Sequence, residues 1–235
     1  MSTRDTKATT RGSRPRRMGR PPMADREAII GAALSIGFAR LTMPAVAEHL
    51  GISHSTLYRY FPSRDALAAA AADHAVRAIE WPVPEEDWRA FLTATAWAHW
   101  RLYAARPGLA QEITALRLTG PALVQRDNRT GIALLDAGFS PEDSVLIMDM
   151  LAELVTQAFL AVLPLGSDDS TTESDEATAA IDSVRRRRRE LIGPWMDTFD
   201  SRLRGVLADA VSGSPAAWFE RKLELFLDGV AVRRD

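Results

Sequence analysis

Between Thr42 and Phe61 the chain reads TMPAVAEHLGISHSTLYRYF, and the glycine near its middle fixes what this stretch can become. Thr42 is a good N-cap, and Val46, Ala47 and Leu50 follow at helical spacing. Gly51 then ends that helix, because glycine enters the left-handed conformation past a helix end without steric cost. Ile52 fills the gap and Ser53 caps a second short helix carrying His54, Ser55, Thr56, Leu57, Tyr58, Arg59 and Tyr60. Of these, Leu57 points inward. The others are hydroxyls, an imidazole, two phenols and a guanidinium, a set suited to lying in a nucleic-acid groove with donors for phosphate oxygens. An ordinary helical hairpin shares the spacing, but has no reason to expose Tyr58, Arg59 and Tyr60 together.

The flanks continue the pattern. Asp25 caps a preceding helix with Ile30, Ala33, Leu34 and Gly37 on one face and Phe38 and Leu41 closing a small core. Pro62-Ser63 opens a fourth helix, with Leu67, Ala71, His74 and Ala78 expected as its inner stripe. The run Leu41 to Leu67, LTMPAVAEHLGISHSTLYRYFPSRDAL, resembles the DNA-binding region of the TetR family of repressors. The resemblance is good from Asp25 to about Ala78 and looser beyond. It implies phosphate contacts at Thr42, Tyr58, Tyr60 and Arg64 and base contacts at His54, Ser55 and Thr56. Pro44 departs from the pattern, standing where many members carry a basic or polar residue. Arg64 occupies a first turn, where a cation opposes the helix dipole, so an external phosphate is the expected reason for it. His54 has two readings, a solvated imidazole or a hydrogen-bonding partner of a purine edge. His49 reads as a partner of its helix's C-terminal dipole.

A formal charge of −2 does not announce a nucleic-acid binder, but its distribution says more. Residues 1–24 carry seven basic groups against Asp5, and this polar, Pro/Gly-punctuated segment is expected to be a disordered basic tail. It reads either as a solubilising leader or as an arm whose Arg14, Arg16, Arg17 and Arg20 enter an adjacent minor groove. The 27 arginines against 2 lysines point to codon composition rather than to function. Zero cysteines exclude disulfides and thiolate metal sites. No uninterrupted apolar stretch reaches a membrane span and no signal-peptide core opens the chain, so a soluble, cytoplasmic protein without a membrane partner is expected.

Trp81-Pro82-Val83-Pro84 divides a DNA-binding domain, 25–80, from a larger helical one, 85–235. Trp88 to Ala105 is apolar nearly all round, as a helix inside a bundle would be. Pro107-Gly108 begins a short connector, Pro121 a helix running to Ala137, and Ser140-Pro-Glu-Asp143 a capping box for a long helix to about Leu163. Residues 166–180, rich in acids, Ser and Thr, are expected as a mobile loop, with helix nucleation near its end left open. The arginines at 185–189 read as a solvated face balanced by acids. Trp195 to about Val211 and Pro215 to about Val232 are the last expected helices. EDW, ARPGLA, AGFSPED and WFERKLELFLDGV resemble the tetracycline-repressor branch, which implies effector binding and dimerisation. The metal-chelating histidine of that branch is unmatched in Gln111, Glu112 and Ile113.

No nucleophile elbow, phosphate loop or H-E-x-x-H is present, so an enzyme is not expected. The histidines (His49, His54, His74, His99) lack ligand spacing, so neither a metal nor a cofactor is expected beyond an unknown effector. A ligand pocket is expected from Trp88, Phe91, Thr95, His99 and Trp100, with Glu153 reaching a partner or a polar cavity because a lone buried carboxylate is costly. The expected fold is all-α, nine or ten helices, with a three-helix helix-turn-helix head. The expected function is a ligand-responsive homodimeric repressor on double-stranded DNA with a palindromic operator. An activator with the same head, or a helical carrier or enzyme with a vestigial head, is the alternative.

Overall fold

The computed structural model describes residues 25–115, 120–161 and 174–234, and those residues are helical and turn without a strand. Each short helix of the N-terminal head is started by its own cap. Asp25 accepts from the Ala28 amide at 2.8 Å and opens α1, Arg26–Ile36. A 3₁₀ turn, Phe38–Arg40, leads to α2, Met43–Leu50, capped by Thr42. Gly51, at φ 62°, turns the chain into α3, His54–Tyr60, capped by Ser53. Ser63 caps α4, Arg64–Arg77.

The second region comprises α5 (Trp88–Ala105), α6 (Leu109–Thr114), α7 (Pro121–Asp136), α8 (Pro141–Leu160), α9 (Ser174–Ile192), α10 (Ser201–Ser212) and α11 (Pro215–Ala231), with a 3₁₀ stretch Gly193–Thr198 before α10. The described residues thus hold eleven α-helices. One departure explains the larger number, and a second moves a helix start. The stretch expected as a loop to 180 is already helical from Ser174, where Ala177, Ala179 and Ala180 supply strong helix formers. The helix expected from Trp195 is broken, with Asp200 capping a new one through the Arg202 amide. Residues 166–173 of the expected acidic loop lie outside the described residues, as does the basic tail 1–24.

The core is contiguous from Ile29 through Leu57 and Leu67 to Leu102, Leu151 and Leu227, so buried side chains of head and helical region meet. At α4 the inner stripe is Leu67, Ala68, Ala71, Ala72, Ala75 and Val76, while His74 and Ala78, expected there, are exposed. His74 instead lies 3.7 Å from Glu27. Head and helical region are joined where α4, packed on α1 within the head, also packs on α7, and where α6 rests on the 3₁₀ turn of the head. That rest is tight. Gly108, at φ 86°, starts α6 so close to the Phe38–Ala39 backbone that a Cβ would lie 2.4 Å from the Ala39 nitrogen.

Candidate nucleic-acid interface

The recognition element is built on one anchor. Leu57 is the buried residue of α3, and burying it holds the remaining face of the helix towards solvent. Ser53 Oγ accepts from the Thr56 amide and also bonds the hydroxyls of Ser55 and Thr56, each at 2.9 Å. The start of α3 is therefore a small hydroxyl knot that lets a backbone come close. His54 and Tyr58, four residues apart, share one face. Both are exposed, as are Thr42 and Ser55, and Tyr58 retains half of its accessible surface. Thr42 Oγ1 accepts from the Ala45 amide at 3.2 Å and still has a hydroxyl proton to donate.

Three expected contacts are placed differently. Thr56 and Tyr60 are half-buried, and Tyr60 packs against the core. Arg64, expected at a DNA phosphate, is turned inward: Nη1 and Nη2 donate to the two carboxylate oxygens of Glu112 at 2.7 and 2.5 Å. Its Nε donates to the Leu41 carbonyl and Nη2 to that of Phe38. The hydrogen bond to Glu112, foremost, raises the guanidinium's affinity for its proton. The cation at a helix start thus has an internal anion, which removes the reason given for an external phosphate. The arm candidates Arg14, Arg16, Arg17 and Arg20 lie outside the described residues.

The expected pocket residues do not converge. Trp88 packs edge-on against Phe139, and it sits eleven residues, about 16 Å of helix, from His99. Phe91 is buried in the core between them. Trp100 stacks on Phe219 and meets Phe159 edge-on. Glu153 is exposed on α8 and needs no partner. Thr95 and His99 do meet, the Thr95 carbonyl accepting from His99 Nδ1 at 3.1 Å. The groups around His99 come from elsewhere: Trp81 at 4.8 Å between ring centres, Tyr103 at 6.4 Å, and Arg126, whose guanidinium carbon lies 5.2 Å from the Trp81 ring centre. Tyr103 in turn bonds the hydroxyl of Thr156 at 2.9 Å, tying α5 to α8. The sequence does hold a signal for Arg126, since it falls in a four-residue stripe with Ala122, Thr130 and Leu134, all buried.

Glu112, in the stretch where the metal-chelating histidine is unmatched, faces the head and not this cluster. Among the described residues no group of three or more His, Cys, Asp or Glu side chains could hold a metal ion. No described helix is long and apolar enough to cross a membrane. The basic run is paired as expected at two positions, Arg185 with Asp182 at 3.0 Å and Arg187 with Glu190 at 3.9 Å.

Comparison with known proteins bears on both regions. The family model described as bacterial regulatory proteins, tetR family, matches residues 33–71, which span the end of α1 to the middle of α4. Over 216 residues the chain is 27% identical to the tetracycline repressor protein class C of Escherichia coli, covering 89% of this chain and 91% of that one. Among solved structures, a possible TetR family transcriptional regulator from Streptomyces coelicolor A3(2) superposes with a TM-score of 0.70 at 25% identity, covering 89% of this chain and all of that one. The Streptomyces coelicolor TetR family protein ActR, solved in complex with actinorhodin, gives a TM-score of 0.69 at 22% identity over 89% of this chain and 97% of its own.

Proposed function

The chain belongs to the tetR family of bacterial regulatory proteins, and from that premise we propose that it is a homodimeric transcriptional repressor. It binds an inverted-repeat operator through α3 and releases it when a small molecule enters the helical region. The observation that carries the DNA half is the outward face of α3, with His54, Ser55 and Tyr58 exposed over a single buried anchor. A second copy supplies the second recognition helix, so that two lie in successive major grooves roughly 34–36 Å apart.

The dimer forms through α8 and α11. Their outer faces expose Val145, Leu146, Met150 and Leu225, beside the Arg233–Asp143 ion pair at 2.7 Å. Such an apolar strip on two packed helices suits a four-helix bundle across a two-fold axis. The effector half is supported by the tetracycline repressor relative and by the actinorhodin complex of ActR, each a likeness over most of the chain.

Release runs through α4. Its first turn is bound to α6 by Arg64–Glu112, and its third turn to the start of α7 by Asp73, which accepts from the Ala122 amide at 2.6 Å. A ligand that shifts α6 or α7 therefore shifts α4 and the separation of the two α3 helices. To switch the population fully it must favour the released state by about 5.5 kcal/mol.

The test is fluorescence anisotropy on an operator duplex with the full chain. His54→Ala and Tyr58→Phe should each weaken operator binding about tenfold, as removing one well-formed hydrogen bond to a base or phosphate would, while leaving the thermal midpoint unchanged. Unaltered affinity in both variants would remove α3 from the interface.

A further inference from the structure

The most demanding unpaired group among the described residues is His99. It is 5% exposed on α5, and its Nε2 has no hydrogen-bond partner. The tautomer follows from the other nitrogen. The Thr95 carbonyl can only accept, so Nδ1 carries the proton and Nε2 offers a lone pair. Burial, and then the nearby Arg126 charge, hold the ring neutral by pushing its pKa well below the usual histidine range.

Arg126 offers the complementary donors. Its side chain is 10% exposed, and it pairs with the adjoining Asp127, itself half exposed. The guanidinium lies over Trp81, whose ring is fixed because Nε1 donates to the Val76 carbonyl at 2.9 Å. The Arg126 bond to Asp127 is made by Nη2, which leaves its Nε and Nη1 as donors for the acidic group of a ligand. An acceptor nitrogen, an aromatic wall and a guanidinium with donors to spare thus meet where α5, α7 and the linker before α5 come together.

We infer that the effector is a planar aromatic acid carrying a hydroxyl group: the hydroxyl donates to His99 Nε2, the acidic group pairs with Arg126, and the ring packs against Trp81. This rests on the ligand-responsive repressor reading and narrows it to a chemical class. A neutral imidazole acceptor selects a donor and discriminates against a methyl ether, while the guanidinium discriminates against an ester.

The probes are 3-hydroxy- and 6-hydroxy-2-naphthoate, their methyl ethers and their methyl esters, titrated into the full-length protein and followed by tryptophan fluorescence. At least one hydroxy acid is expected to bind about ten- to hundredfold tighter than its ether and its ester. His99→Phe should abolish the preference over the ether, and Arg126→Met the preference over the ester. His99→Gln, which keeps a polar side chain, should shrink the ether preference if the phenylalanine variant does not fold. The inference is overturned if wild type does not distinguish the compounds, if both preferences survive in the variants, or if no probe binds at millimolar concentration. Operator binding by the unliganded protein is measured alongside. Its absence would sink the repressor reading, whereas operator release by a neutral compound, independent of His99 and Arg126, would sink the ligand class alone.

Discussion

Arg64 and Glu112, forty-eight residues apart, form a two-pronged ion pair that clamps the start of α4 to α6, with the guanidinium also holding the carbonyls of Phe38 and Leu41. Three segments of the head and one helix of the effector region meet on this one side chain. Glu112→Gln should lower stability by about 2 kcal/mol, because it weakens a charge-assisted pair whose carboxylate is buried. For a chain of this size that is a fall of roughly 4–8 °C in thermal midpoint, checked by calorimetry. An unchanged midpoint would show the pair to be loose in solution.

The same geometry separates Arg64 from the DNA-binding face. Each phosphate contact contributes about 0.9 to the slope of log K against log salt. Arg64→Met should therefore leave that slope unchanged, compared at equal folded fraction, whereas a phosphate-contacting arginine would reduce it. A shallower slope would return Arg64 to the interface.

Asp73 performs for α7 the task that a capping residue normally performs from within its own helix. The residue before α7 is Gly120, with no side chain to cap, and the Ala122 amide is taken by Asp73 from α4. Asp73→Ala should cost about 1 kcal/mol, the usual worth of an N-cap, and Asp73→Asn should recover part of it. Urea unfolding measures both. Equal midpoints for all three proteins would deny α4 this second attachment.

His99 gives the fold a dependence on acid. In the unfolded chain the imidazole titrates near 6.5, and in the folded protein well below that. Between the two values the unfolded state binds more protons, so this contribution to stability is complete above about 6.5 and is lost as pH falls towards the folded value. Thermal midpoints from pH 8 to pH 5 should drop more steeply for wild type below 6.5 than for His99→Gln. Parallel curves would mean that His99 is hydrated in solution.

Residues 1–24 hold seven of the chain's basic groups against one acid, whereas the segment from Asp25 to Leu67 has as many acids as arginines. If Arg14, Arg16, Arg17 and Arg20 reach the duplex, deleting residues 1–20 weakens operator binding. It also flattens the salt dependence, by about 0.9 for each phosphate that the shortened chain no longer neutralises. An identical slope would leave the tail as a solubilising leader.

The head is legible in the sequence because its signals are local. Thr42, Ser53 and Ser63 each cap the helix that follows them, and Gly51 takes the left-handed turn, so a window of a few residues contains each cause. What stays hidden depends on partners remote in the chain. Nothing near Arg64 announces Glu112, and nothing near Gly120 announces Asp73. Glu153 departs from expectation for a different reason: apolar residues on either side of it in sequence do not share its helix face. The helical period buries Leu151 and Val155 and leaves Glu153 in solvent. Trp81 marks a boundary in the sequence, and its second role against His99 and Arg126 emerges once α5 and α7 are folded beside it.

Selection of bound duplexes from random DNA by the full-length protein, at moderate ionic strength, tests the central claim most directly. The expected result is one enriched inverted repeat with half-sites about one helical turn apart, bound at a stoichiometry of two chains and no longer enriched when His54 and Tyr58 are both replaced. Uniform recovery of unrelated sequences, or a single half-site bound by one chain, would contradict it.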